Sequence, residues 1–244
     1  MPDRTEAAEA ASAAGFRLGV VMLATSFPRL KGDMGHPETF PFPVLYRRVE
    51  QAQVARVVTE GETAPELAEA ILETARALET EGASLVATSC GFLGGLQTRL
   101  QAALSVPVIA SSLLLLPLLR TLYGPARPIG VLTFDSTRLS PRHFGNLGEG
   151  ALAGAVEIEG LESGAELHRV VSQDLAALDR TRAEQDAVAA ARRLVGRCPA
   201  VPALLLECTN LSPYRTAIVR AVSRPVYDLN QAILWHAQAA GNCL

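Results

Sequence analysis

The sequence predicts an α/β fold made of two similar halves with parallel sheets. Three observations predict it. Short apolar, β-branched runs alternate with helical patterns along the 244 residues, and strands that are apolar throughout belong to parallel sheets covered on both faces. Hydrophobic residues make up 49% of the chain and charged residues 19%, enough to bury a sizeable core. A spacing also repeats: Cys90 and Cys208 each follow an apolar run (LVATS and LLLE), and each is followed 17 residues on by a proline, Pro107 and Pro225.

In chain order, strands are expected over residues 18–23, 84–88, 106–109, 128–132, 155–158, 203–206 and 225–227. Helices are expected over 64–81, 93–104, 112–122, 182–196, 213–222 and 229–240. The first strand carries GVVML from Gly19, and GVLTF from Gly130 repeats it upstream of the second cysteine. Pro213 suits the first turn of its helix, and Asp228 suits the N-cap of the last one. Residues 1–15 are Ala-rich with acidic residues and are expected to form a flexible tail. The expected division is a first lobe over 16–118 plus 226–244 and a second over 119–225.

Composition excludes several function classes. The net charge is −3 and no basic tract is present, so nucleic acid is not an expected partner. The most apolar stretch, 108–119, is far shorter than the ~20 residues of a membrane span. It is expected to be buried between lobes or in a homo-oligomer interface, a dimer or higher. Four cysteines without a secretory signal suggest free thiols and a cytoplasmic protein. Lys31, the only lysine, sits in a polar RLKGD loop that does not suit a pyridoxal-phosphate Schiff base. Neither a GxxxxGK[ST] loop nor a GxGxxG turn is present, so no cofactor is expected. No CxxC or HxxxH spacing suggests a metal, and no GxSxG suggests a serine nucleophile. His36, His143, His168 and His236 are scattered, and Cys198 and Cys243 have no repeat partner, so all six are expected to pack or face water.

Cys90 (TSCGFLGG) and Cys208 (LECTNLSP) each stand at the start of a helix that follows a strand. Ligands of parallel α/β sheets bind beyond the carboxyl ends of strands. Helix starts offer unpaired N–H groups and partial positive charge, which favour thiolate and bind anions. If the lobes face each other, one thiolate can remove an α-proton and the opposing thiol can return one to the other face. Backbone amides would hold the substrate carboxylate and stabilise the enediolate-like transition state.

These cysteine motifs, ATSCGF and LECTN, resemble the aspartate/glutamate/hydantoin racemase superfamily over residues 16–240. The resemblance implies two Rossmann-like lobes with parallel sheets related by pseudo-twofold symmetry, no cofactor, and a site between them that acts on a small carboxylate. It implies Cys90 and Cys208 as the two catalytic acid/base groups. It places Gly91 and Phe92 in one anion nest and Thr209 and Asn210 in the other, with Thr133, Phe134, Thr25 and Ser26 supporting the substrate. Amino-acid racemases of the superfamily commonly carry CNT and GCTE or GCTH, whereas this chain has CGF and ECTN. In the loop 32–43, Asp33, His36 and Glu38 are expected to face water, the alternative being that they read the substrate. The expected activity is a cofactor-independent racemase or epimerase. The alternative is a lyase of the same superfamily, either a decarboxylase or an enzyme like the similar algal one that cleaves dimethylsulfoniopropionate by β-elimination. A non-catalytic binding protein is the third reading.

Overall fold

The computed structural model describes residues 15–147, 156–163 and 165–242. The tail over 1–14, Cys243 and the start of the strand expected at 155 lie outside the described residues.

The first half of the chain runs β1 (Leu18–Leu23), β2 (Val44–Val49), α1 (Val54–Val57), α2 (Pro65–Thr80), β3 (Leu85–Thr88), α3 (Gln97–Ala103), β4 (Val108–Ile109) and α4 (Leu116–Tyr123). The second half runs β5 (Ile129–Leu132), β6 (Val156–Glu159), α5 (Glu166–Ser172), α6 (Arg180–Arg197), β7 (Leu204–Leu206), α7 (Arg215–Val222), β8 (Val226–Tyr227) and α8 (Leu229–Ala239). Two four-stranded sheets result, ordered β2-β1-β3-β4 and β6-β5-β7-β8, and every pairing is parallel. The two sheets therefore repeat one topology.

The repeat extends to register. Gly19 pairs with Val86, four residues before Cys90, and Gly130 pairs with Leu204, four residues before Cys208. Both glycines are needed for helix packing against the strand. A Cβ on Gly19 would lie 2.9 Å from the Ala83 side chain and 3.1 Å from Leu78, and one on Gly130 would lie 2.8 Å from Leu194 and 3.0 Å from Val201.

β1 shows why the strands are apolar throughout. Val21 and Leu23 join a core that continues through both sheets, while Leu18 and Val20 pack with Met34, Phe40, Leu229 and Ile233 in a second cluster. α8 thus covers the outer face of the first sheet. It is held by a capping box in which Asp228 accepts from the Gln231 N–H and the Gln231 side chain accepts from the Asp228 N–H.

Buried polar ties join the halves. Ser112 Oγ donates to the Leu206 carbonyl and Thr209 Oγ1 to the Ser89 carbonyl, both at 2.7 Å. Of the apolar stretch, Leu113, Leu116 and Leu119 are buried, but Leu118 and Leu122 are 57% and 64% exposed. One turn of α4 can face the core with only one side, so within a single chain the run is buried in part. No helix among the described residues is long and apolar enough to cross a membrane.

Candidate active site

Each cysteine follows the third strand of its half, and the chain then turns into a six-residue 3-10 helix, Gly91–Leu96 or Thr209–Tyr214. The α-helices begin only afterwards, at Gln97 and Arg215. The expectation of cysteines directly at α-helix starts is corrected accordingly. The helix dipole starts more than a turn away, and the local donors are single N–H groups. The Phe92 N–H is directed at Cys90 and the Asn210 N–H at Cys208, two residues on in each case.

Both cysteines line one cleft of about 380 Å³, together with Thr25, Phe27, Arg29, Ser89, Gly91, Phe92, Phe134, Glu207, Thr209 and Asn210. The walls come from the carboxyl ends of β1, β3, β5 and β7, where parallel sheets place their ligands. Val54, Val58 and Val171 close the mouth with apolar surface.

Two expected residues lie elsewhere. Ser26 is exposed, its N–H donates to Asp174 Oδ1, and it does not line the cleft. The chain leaves β1 there and turns its side chain outward. Thr133 is buried one layer behind the wall, where its Oγ1 donates to Glu207 Oε2 at 2.7 Å. Thr133 therefore reaches the cleft only through that glutamate.

The structure adds residues that sequence reasoning set aside. Asp33 is 2% exposed, which corrects the expectation that it faces water. It pairs with Arg29 at 2.8 Å, accepts the Gly35 N–H at 2.8 Å, and accepts Asn210 Nδ2 at 2.5 Å. Arg29 also donates to Thr25 Oγ1 at 2.9 Å and lies over the Phe27 ring, 4.6 Å from its centre. His36 and Glu38 stay near solvent, and Lys31 pairs with Glu38 at 3.4 Å. Asp33 fixes the Asn210 amide so that Oδ1 faces Cys208, whose thiol donates to it at 3.7 Å. A run of hydrogen bonds thus joins Arg29 to Cys208.

Glu207 is the other unforeseen group. It holds the position that Ser89 holds in the first half: the Ser89 N–H donates to Val21 and the Glu207 N–H to Leu132, each two residues past the matching glycine. Its carboxyl is buried and reaches under the Cys90 turn. A Cβ on Gly91 would overlap both its Oε1 and its backbone oxygen, so Gly91 is required for close approach. The string LECTN showed a carboxyl beside the cysteine, but nothing local showed it pointing inward.

Electrostatics correct the expectation of lowered thiol pKa values. Burial and then the charge of Glu207 push Cys90 up to about 12, against smaller support for its thiolate from the Phe92 N–H and from Arg29. The same two causes push Cys208 well above the ordinary thiol range. Burial likewise raises Glu207 to about 7, although Thr133 and the Phe134 N–H favour its ionised form. Burial therefore favours the protonated form of both thiols, and the Arg29 charge opposes it at Cys90.

No family model matches the chain. A dimethylsulfoniopropionate lyase of Durusdinium sp. clade D is 31% identical over 221 residues, covering 86% of this chain and 70% of that protein. Dimethylsulfoniopropionate lyase 3 of Emiliania huxleyi (strain CCMP1516) is 28% identical over 220 residues, and the chain spans only 56% of its length. Among solved structures, allantoin racemase from Klebsiella pneumoniae superposes with a TM-score of 0.59 at 17% identity, covering 92% of this chain and 87% of that one. Unliganded arylmalonate decarboxylase gives 0.56 at 14% identity, with 94% of each chain covered. A glutamate racemase isoform from Bacillus anthracis gives 0.57 at 16%, with 93% and 83% covered. These superpositions show a shared fold, and the identity to the Durusdinium protein shows kinship. With two like-ordered parallel sheets and paired cysteine turns, the chain has the aspartate/glutamate racemase superfamily fold and belongs to the family of the dimethylsulfoniopropionate lyases.

Proposed function

We propose that the protein is a cofactor-independent lyase that cleaves a small β-substituted carboxylate, dimethylsulfoniopropionate or a close relative, by β-elimination. The observation that carries this reading is the 86% of the chain that aligns with curated dimethylsulfoniopropionate lyases at 26–31% identity. The cleft supports it chemically. A thiolate takes the α-proton, the C–H electron pair forms the double bond, and the β C–S bond breaks with its electrons leaving on sulfur. The products are acrylate, dimethyl sulfide and a proton that returns to solvent. Arg29 and the N–H groups of Phe92 and Asn210 are placed to hold the carboxylate as negative charge develops on it. The apolar wall of Val54, Val58 and Val171 suits expulsion of water.

The test is incubation with dimethylsulfoniopropionate. Dimethyl sulfide in the headspace and acrylate in the proton NMR spectrum are expected in equal amounts, and their absence at micromolar enzyme rules the reading out. A second reading, racemase or epimerase, is favoured by the two thiols in one cleft. It predicts deuterium from solvent at Cα of recovered substrate without net product. For the assembly, we propose a homo-oligomer that covers Leu118 and Leu122, which light scattering measures directly.

A further inference from the structure

One carboxyl lines the cleft, that of Glu207, and a second, that of Asp33, lies behind the lining residues Arg29 and Asn210; they are served very differently. Asp33 has both oxygens occupied, by Arg29 and Gly35 on one and Asn210 on the other. Glu207 is 1% exposed and has only Oε2 engaged; its Oε1 is buried with no hydrogen-bond partner. Among the described residues no cation pairs with it, since Arg29 is taken by Asp33 and Thr25. A buried carboxylate without a counter-ion is costly, and structures rarely keep one without a ligand to answer it. Room for it is made by Gly91, and Ser89 at the matching position shows that the fold itself does not require a carboxyl there. Two phenyl rings, Phe92 and Phe134, line the same cleft; each also packs against a histidine outside it, Phe134 stacked on His168 at 4.6 Å and Phe92 edge-on to His143 at 4.8 Å, and the ring of Phe27 carries Arg29.

We propose that Glu207 is the counter-ion for a positively charged sulfur or nitrogen of the substrate, an onium group flanked by the rings of Phe92 and Phe134. The identity of that substrate rests on the lyase reading above; the charge preference does not. Arg29 also lines the cleft, with Asp33 and Thr25 on its guanidinium, and would be the cation nearest the carboxylate end, so the cleft would read a zwitterion from both ends. The onium cation would have a second effect. Cys90 and Cys208 are the titratable groups that face Glu207, with Arg29 and Asp33 beyond them, and its negative charge opposes ionisation of both thiols. A bound cation screens that charge, so a thiolate forms beside a substrate of the right charge and not in the empty cleft. Glu207 would then set specificity and timing together.

The experiment uses two probes of equal shape and different charge, 3-(trimethylammonio)propionate and 4,4-dimethylpentanoate. Their binding to the wild-type protein and to Glu207→Gln is measured by calorimetry in buffers of different ionisation enthalpy. The wild type is expected to prefer the onium probe by roughly 30-fold, in the range of a desolvated cation interaction. At pH 6 it is expected to release a proton on binding the onium probe and none on binding the neutral one. In Glu207→Gln the preference is expected to fall below about threefold. Equal affinities in the wild type, no binding of the onium probe at millimolar concentration, no proton release, or an undiminished preference in the variant each overturns the proposal. The wild-type proton release decides the matter even if the variant fails to fold. Failure of the lyase reading looks different: dimethylsulfoniopropionate stays intact while the Glu207-dependent preference persists.

Discussion

Cys208 donates to Asn210 Oδ1 from a fully buried position, whereas Cys90 is partly exposed and feels the Arg29 charge. As pH rises, iodoacetamide should therefore alkylate Cys90 before Cys208, which peptide mass spectrometry resolves. Equal rates would mean that the two thiols share one environment. For turnover, a serine hydroxyl is a far poorer base than a thiolate. In a one-base lyase, one of Cys90→Ser and Cys208→Ser should lose about 10²–10⁴-fold in kcat and the other should be milder. In a two-base racemase both should fall that far. Cys198→Ser, at the end of α6 and away from the cleft, should leave the rate within about twofold. Glu207 adds a pH signature of its own. Its carboxyl ionises near 4.3 when unfolded and at about 7 when folded, so between those values the folded state holds the extra proton. Stability attributable to this group is full below the lower value and declines as pH rises to the upper one, by up to about 3 kcal/mol. Glu207→Gln removes that decline, so thermal unfolding should show the variant gaining on the wild type between pH 5 and pH 8.

At the scale of elements, the alternation of apolar runs and helical patterns was enough to read seven strands and six helices to within a few residues. β2 was not legible because VLYRRV shows no apolar face. It is an edge strand, and Arg47 and Arg48 point to solvent. The helices expected from residues 93 and 213 begin as α-helix only at Gln97 and Arg215, because the preceding turns, GFLGGL and TNLSPY, are 3-10 and only the backbone tells the two apart. In the site, the repeat exposed both cysteines, but the Glu207 carboxyl at the cleft and the Asp33 carboxyl behind Arg29 and Asn210 are placed by tertiary contacts that leave no local pattern. The loop over residues 29–33 acts as one such device. Asp33→Ala would leave Arg29 and Asn210 without their acceptor, and a cost of about 1–3 kcal/mol in denaturant unfolding is expected, along with a raised KM. Gly91→Ala should cost both stability and activity, because the added methyl overlaps the Glu207 backbone oxygen as well as its carboxyl, and the backbone cannot swing aside.

For the whole molecule, one apolar core runs through both sheets, and Ser112, Thr209 and Asn210 tie the halves with buried hydrogen bonds. A single cooperative unfolding transition is expected by calorimetry. We propose that the halves meet near residues 118 and 225. α4 gives a direct check on what is core. Leu119→Ala should cost about 2–5 kcal/mol, while Leu118→Ala, one residue earlier, should change the isolated chain by no more than about 0.5 kcal/mol.

Phe92 has a face on each of two spaces. Besides the cleft, it lines a wider recess of about 1060 Å³ with Glu62, Arg99, Arg142 and His143, and the His143 ring meets it edge-on at 4.8 Å. One aromatic ring is thus the partition between a narrow reaction chamber and an open vestibule. Phe92→Ala would join the two volumes into a corridor, letting a small apolar product depart by a different door from the one the charged substrate entered. The bill for an open door is water. It would enter by the same corridor, so faster product escape in that variant should come with a slower chemical step.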